Sequence, residues 1–158
     1  MKYTNTYKKV ELIISEDLLK RLSSYGIEQF SNEFGGFLMG YYSNNFKTLT
    51  ITDTVLPKVY QGTPYLFQRS IKGIGGTFEV YYKKQPNQYY IGEWHTHPNG
   101  STAYSHTDKQ AMVNITQCAT VNITNPILLI ISINASEING FQFYLYDNNE
   151  LFPFVEST

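Results

Sequence analysis

The sequence predicts an α/β domain, a mixed and curled β-sheet flanked by about three helices, and three observations predict it. Segments of strand character are interspersed with segments whose apolar residues recur at three- and four-residue steps. One aliphatic run, Ile127–Ile133, reads as a strand covered on both faces. The 158 residues suffice for one substantial core and are too few for two, so residues 1–158 are expected to form a single domain.

The elements follow in order. Residues 7–14 read as a first strand. Ser15 then caps a helix with Glu16 and Asp17 in its first turn, Leu18, Leu19 and Leu22 on one face, and Gly26 at its end. Residues 36–42 and 47–55 read as a hairpin turning at Ser43-Asn44-Asn45, and residues 59–67 as a further extended piece. The glycines at 73, 75 and 76 lack the spacing of a phosphate-cradling loop and are expected to lead into a helix over 77–84. Residues 89–96 form a strand, and residues 105–119 a helix with Ala111, Met112, Ile115 and Cys118 on its apolar face. After Ile127–Ile133, residues 141–146 return antiparallel beyond Asn139-Gly140.

The chemistry concentrates in Gly92-Glu93-Trp94-His95-Thr96-His97-Pro98, followed by Ser105-His106-Thr107-Asp108. Side chains at i and i+2 on a strand share a face, about 7 Å apart at the backbone, so two imidazoles can converge on one cation. The turn Pro98-Asn99-Gly100 lets the chain swing round and bring in the carboxylate of Asp108. Two nitrogens and an oxygen make three ligands. That is one short of zinc's tetrahedral set, and an open fourth position marks a catalytic site rather than a structural one. Ser105 and Asp108 also read as a helix N-cap with its acid at the third position, which is compatible with metal binding. Glu33 precedes two glycines and an apolar strand, a placement suited to acid-base work. Glu93 shares parity with the histidines, so periodicity alone admits it as a fourth ligand, although a supporting place beside a ligating histidine suits it better. His106 is expected to face solvent, and Cys118 to be buried as a small apolar residue.

Glu33, His95-Thr96-His97-Pro98 and Ser105-x-x-Asp108 resemble the complete JAMM motif of the JAB/MPN metalloproteases, and the likeness extends over nearly the whole chain. The resemblance implies an MPN-like fold and one catalytic Zn2+ held by His95, His97 and Asp108. It implies Glu33 as general acid/base and Ser105 as stabiliser of the tetrahedral intermediate. It further implies hydrolysis of an isopeptide or peptide bond after the flexible C-terminal tail of a ubiquitin-like protein. The Gly-Glu-Trp-His-Thr-His-Pro form is most similar to the bacterial branch. There, such peptidases accompany ubiquitin-activating and conjugating-like enzymes, including those of anti-phage CBASS operons, and release a conjugated nucleotidyltransferase. A non-catalytic MPN scaffold and a RadC-like DNA-associated protein are the alternative classes.

Composition narrows the choice. A net charge of −1 with 16% charged residues leaves no nucleic-acid footprint, and the lysine doublets are isolated. One cysteine excludes an internal disulfide framework. The polar start Met1-Lys2-Tyr3-Thr4-Asn5 lacks the apolar core of a signal peptide, and no run is long enough to span a bilayer, so no membrane partner and a cytoplasmic location are expected. Tyr41, Tyr42, Tyr60, Tyr65, Tyr89 and Tyr90 are candidates to line a groove for an extended peptide, against a background in which most aromatics serve packing.

Overall fold

A computed structural model describes all 158 residues. In chain order the elements are β1 (Lys2–Asn5), β2 (Val10–Ile14), α1 (Glu16–Glu28), β3 (Gly35–Tyr42), β4 (Thr48–Val55), β5 (Val59–Thr63), β6 (Leu66–Ser70), α2 (Gly75–Tyr82), β7 (Tyr89–Pro98), α3 (His106–Gln117), β8 (Ile127–Ile133), β9 (Ile138–Asp147), β10 (Glu150–Pro153) and β11 (Val155–Glu156). Nine strands form one sheet in the order β10-β9-β8-β7-β3-β4-β2-β1-β11, while β5 and β6 pair only with each other. The β2/β4 and β7/β8 pairs are parallel and the other pairs antiparallel, so the sheet is mixed as expected.

The sheet curls until its two edges meet. β10 and β11 are separated by Phe154 alone, yet they pair with β9 at one end of the sheet and with β1 at the other. The Phe154 N–H donates to Phe143 O at 2.9 Å. The Asn5 side-chain amide donates to the carbonyls of Phe152 and Pro153 at 3.1 and 3.2 Å. Curling leaves few unpaired edge groups, which otherwise invite association with other chains.

β8 lies in the middle of the core, and every one of its residues is buried. Leu129 and Ile131 pack in the cluster that holds Leu18, Leu19 and Leu22 of α1, whereas Leu128 and Ile130 pack with Met112 and Ile115 of α3. Alternation across the strand therefore feeds two apolar layers, the physical reason its sequence shows no polar face. On α1 the Ser15 cap accepts from the Leu18 N–H at 3.1 Å. Gly26 lets that helix rest on β7, since a Cβ there would come within 2.3 Å of the Thr96 methyl group. No helix is long and apolar enough to cross a membrane.

Several expected boundaries shift. The first strand begins at Val10, because residues 6–9 form a turn with Lys9 at φ 55°, and the polar residues before it form β1. The extended piece over 59–67 is in fact two strands turning at Pro64 and Tyr65. The second helix starts two residues earlier than expected, at Gly75. The third ends at Gln117, where Cys118 takes extended backbone. Cys118 is exposed, with its sulfur 3.3 Å from the Thr120 hydroxyl, and this corrects the expectation that it is buried. β10 and β11 carried no recognisable pattern, since four- and two-residue strands are too short for periodicity to register.

Candidate metal centre

β7 runs between β3 and β8 and aims Glu93, His95 and His97 from one face. β3 is held very close alongside. Gly35 pairs with His95, and a Cβ on Gly35 would lie 2.0 Å from the Trp94 carbonyl oxygen, so only glycine permits this approach. Just before it, the Phe34 N–H donates to the Thr96 hydroxyl at 3.1 Å, and Thr96 N–H donates to Phe34 O at 2.8 Å. The pairing brings Glu33, from a segment 62 residues earlier in the chain than His95, to the same cavity.

Asp108 arrives from the other side. Ser105 and Asp108 form a reciprocal capping box at the start of α3: Asp108 N–H donates to Ser105 Oγ at 3.1 Å, and Ser105 N–H donates to Asp108 Oδ2 at 2.6 Å. The cap fixes the carboxylate while leaving Oδ1 facing the histidines. His95 Nε2 lies 3.0 Å from His97 Nε2 and 3.0 Å from Asp108 Oδ1, and His97 Nε2 lies 3.5 Å from Asp108 Oδ2. A tetrahedral ion with bonds of about 2.1 Å separates its ligand atoms by about 3.4 Å, so the spacing of this donor set suits such an ion.

Hydrogen bonding sets the donors' polarity. His97 Nδ1 lies 2.8 Å from Ser101 O, and a carbonyl can only accept, so Nδ1 carries a proton and Nε2 faces the cluster, donating to Asp108 when protonated and offering its lone pair to a metal when not. The cluster favours positive charge. Burial would raise the Asp108 carboxyl, but hydrogen bonds from His95 and His97 outweigh it and hold the group well below the usual carboxylate range. Burial would lower His97, yet Asp108, the Ser101 carbonyl and Glu33 outweigh it and raise the group. Together His95, His97 and Asp108 form a group able to hold a metal ion.

Glu33 sits at the rim, 9% exposed, with its backbone N–H donating to Thr63 O at 2.8 Å. No hydrogen bond within the chain engages its carboxylate. Burial raises its pKa, and the nearby Asp108 adds to this, against the pull of His95 and His97. Glu33, His95, His97, Ser105 and Asp108 line one cavity of about 290 Å³. Glu93 lies outside the donor group. It pairs instead with Arg69 of β6 and accepts a hydrogen bond from the Tyr90 hydroxyl at 2.7 Å. His106 is exposed at the first position of α3. The six tyrosines do not share a groove. Tyr65 lines the cavity, whereas Tyr42, Tyr89 and Tyr90 line a separate depression of about 990 Å³ elsewhere on the surface, because strand alternation and the β5–β6 excursion distribute them over different faces.

Sequence reasoning missed the residues that brace the loop between β7 and α3. Ser132 donates to Gly100 O at 2.5 Å, and Tyr144 donates to Thr102 O at 2.9 Å, on either side of the Ser101 carbonyl that orients His97. A signal was present, since Ser132 is the one polar residue within Ile127–Ile133 and stands opposite His97 in register. Ser132→Ala should therefore cost about 1 kcal/mol of stability and weaken metal binding about tenfold. Thermal melts and a competitive chelator titration measure the two effects. Unchanged metal affinity would show that the brace does not reach His97.

The profile for prokaryotic homologs of the JAB domain matches residues 15–144. A curated protein from Enterobacter hormaechei subsp. hoffmannii, named CD-NTase/cGAS isopeptidase, is 30% identical over 121 residues; the match covers 76% of this chain and 66% of that protein. The solution structure of protein DSY2949 from Desulfitobacterium hafniense superposes with a TM-score of 0.61, covering 90% of this chain and 88% of that one; at 13% identity it speaks for the fold alone. With a family profile spanning most of its length and a mixed, curled sheet presenting a His-x-His strand, the chain belongs to the prokaryotic branch of the JAB domain family.

Proposed function

We propose that residues 1–158 act as one JAB domain, a zinc-dependent isopeptidase that hydrolyses the bond joining the C-terminal tail of a conjugated protein to its target. The conjugated protein in this reading is a nucleotidyltransferase, put in place by ubiquitin-activating and conjugating-like enzymes, and the compartment is the cytoplasm. The observation that carries the reading is the convergence of two imidazole nitrogens and one carboxylate beside a buried, unengaged Glu33. The name of the Enterobacter relative, which couples an isopeptidase with a CD-NTase, supports the choice of substrate.

His95, His97 and Asp108 would hold the ion. When bound, zinc supplies Lewis acidity, polarising a carbonyl and lowering the pKa of water from about 16 to about 7. Glu33 accepts the proton of the attacking water and delivers it to the departing amine, so that a C–O bond forms as the C–N bond breaks. Its raised pKa suits both halves of that exchange. Ser105 Oγ accepts the Asp108 N–H, which leaves its own O–H free to donate to the carbonyl oxygen as charge develops there. One such donor is typically worth about 3 kcal/mol. The hairpin of β5 and β6 stands beside the cavity with an unpaired edge on β6, a suitable partner for an extended tail.

The test is metal analysis together with cleavage of a defined conjugate. Protein purified without chelator should hold zinc near one ion per chain, and it should release a nucleotidyltransferase whose C-terminus has been joined to a lysine-bearing target. Absence of both zinc and cleavage would favour a non-catalytic scaffold.

A further inference from the structure

We infer that Arg69 is a positioning residue, whose ion pair with Glu93 docks the β5–β6 hairpin onto the histidine-bearing strand β7 and sets the width of the cleft beside the metal donors. The hairpin lies outside the nine-stranded sheet, and Tyr65 at its turn is 91% exposed. Few contacts tie it down. Near Glu33, the Thr63 carbonyl accepts the Glu33 N–H at 2.8 Å, and Gly62 approaches so closely that a Cβ would fall 2.3 Å from the Glu33 carbonyl oxygen. The rings of Tyr60 and Phe67 meet Phe34 edge-on at 5.2 and 5.8 Å. All of these anchors gather around Glu33 and Phe34.

Arg69, opposite Tyr60 in register, is the polar anchor. Its guanidinium bonds Glu93 and lies 5.9 Å over the Phe37 ring. Its Nε is buried with no partner, so the head group is held from its terminal nitrogens by Glu93 and the neighbouring Tyr90 hydroxyl. Glu93 is fixed independently from β7, where the Tyr90 hydroxyl donates to the same oxygen that meets Arg69. It also shares a strand face with His95, about 7 Å away along the backbone. The consequence is one of shape, since residues 64–67 of the hairpin and Glu93, His95 and His97 of β7 line the same cavity. A buried ion pair is an expensive way to gain stability, and an apolar pair would serve as well. What the ion pair adds is direction, which holds one wall at a fixed distance from the other.

Use of the cleft by a substrate rests on the isopeptidase reading, whereas the docking does not. The experiment compares wild-type protein, Arg69→Met, Arg69→Lys and Glu93→Gln, full length and zinc-loaded. Hydrogen exchange of the amides in residues 59–70, zinc content, and KM and kcat for the conjugate are measured. Arg69→Met should keep its zinc, speed hairpin exchange about tenfold, and raise KM about tenfold with kcat changed by less than about threefold. Arg69→Lys, which keeps a point charge but loses the planar fork, should fall between. Should Arg69→Met not fold, Glu93→Gln removes the same pair at nearly constant volume. Hairpin exchange unchanged from wild type, or kcat falling at constant KM, would overturn the inference. A wild-type protein that cleaves nothing while the exchange still responds would sink the isopeptidase reading and leave the docking intact.

Discussion

Glu33→Gln is expected to abolish cleavage, leave metal content unchanged, and raise the melting temperature of the metal-free protein. Removing a positioned acid-base group typically costs about 10²- to 10⁴-fold in rate, and glutamine keeps the shape while losing the proton transfer. The stability half follows from the raised pKa, caused first by burial and supported by Asp108 against the opposing histidines. A carboxyl whose folded pKa exceeds its unfolded value is harder to ionise in the folded chain. Its ionisation therefore costs stability as the pH rises past the unfolded value of about 4.3. Glutamine escapes that cost, so the gain should be present at pH 7 and vanish below about pH 4. Melts of chelator-treated wild type and variant at both pH values give the sign directly. Retained cleavage would remove Glu33 from the chemistry, and a lower melting temperature at pH 7 would mean that its carboxylate makes a stabilising contact.

Asp108→Ala should do two kinds of damage, because the residue has two jobs. It offers Oδ1 to the donor cluster and accepts the Ser105 N–H through Oδ2. If His95, His97 and Asp108 hold the ion as proposed, losing one of the three should reduce zinc to background and cleavage with it. Losing half of the capping box should cost about 1 kcal/mol in addition. Asp108→Asn separates the effects, since the asparagine oxygen still accepts the backbone bond while the charge is gone. That variant should melt between Asp108→Ala and the metal-free wild type at pH 7, because the depressed Asp108 pKa means that its charge also stabilises the fold, and still bind zinc poorly. Metal analysis of the dialysed proteins and denaturant melts read the two effects apart. A fully metallated Asp108→Ala protein would mean that the ion sits elsewhere.

Much of the fold was legible because the signals are local. Ser15 caps α1 where an acidic first turn follows it, and the Ser43–Asn45 stretch turns β3 into β4. The aliphatic run of β8 is buried throughout, since helices cover both of its faces. What escaped notice depends on pairing at a distance. The start of the chain read only as polar, yet β1 is half of the seam that closes the sheet against β11. The hairpin of β5 and β6 read as one piece, because strand periodicity does not mark where a partner strand begins.

The same division runs through the site. Residue types and spacing alone determined that His95 and His97 share a strand face and that Asp108 stands at a helix start, because strand parity and capping act within a few residues. Only the tertiary structure decided that Glu33 faces those donors, that Glu93 is taken by Arg69 rather than left to a metal, and that Ser132 braces the loop behind His97. Each of those contacts is made between segments whose encounter depends on sheet order, and sheet order comes from burying the whole apolar surface at once rather than from any stretch of the chain.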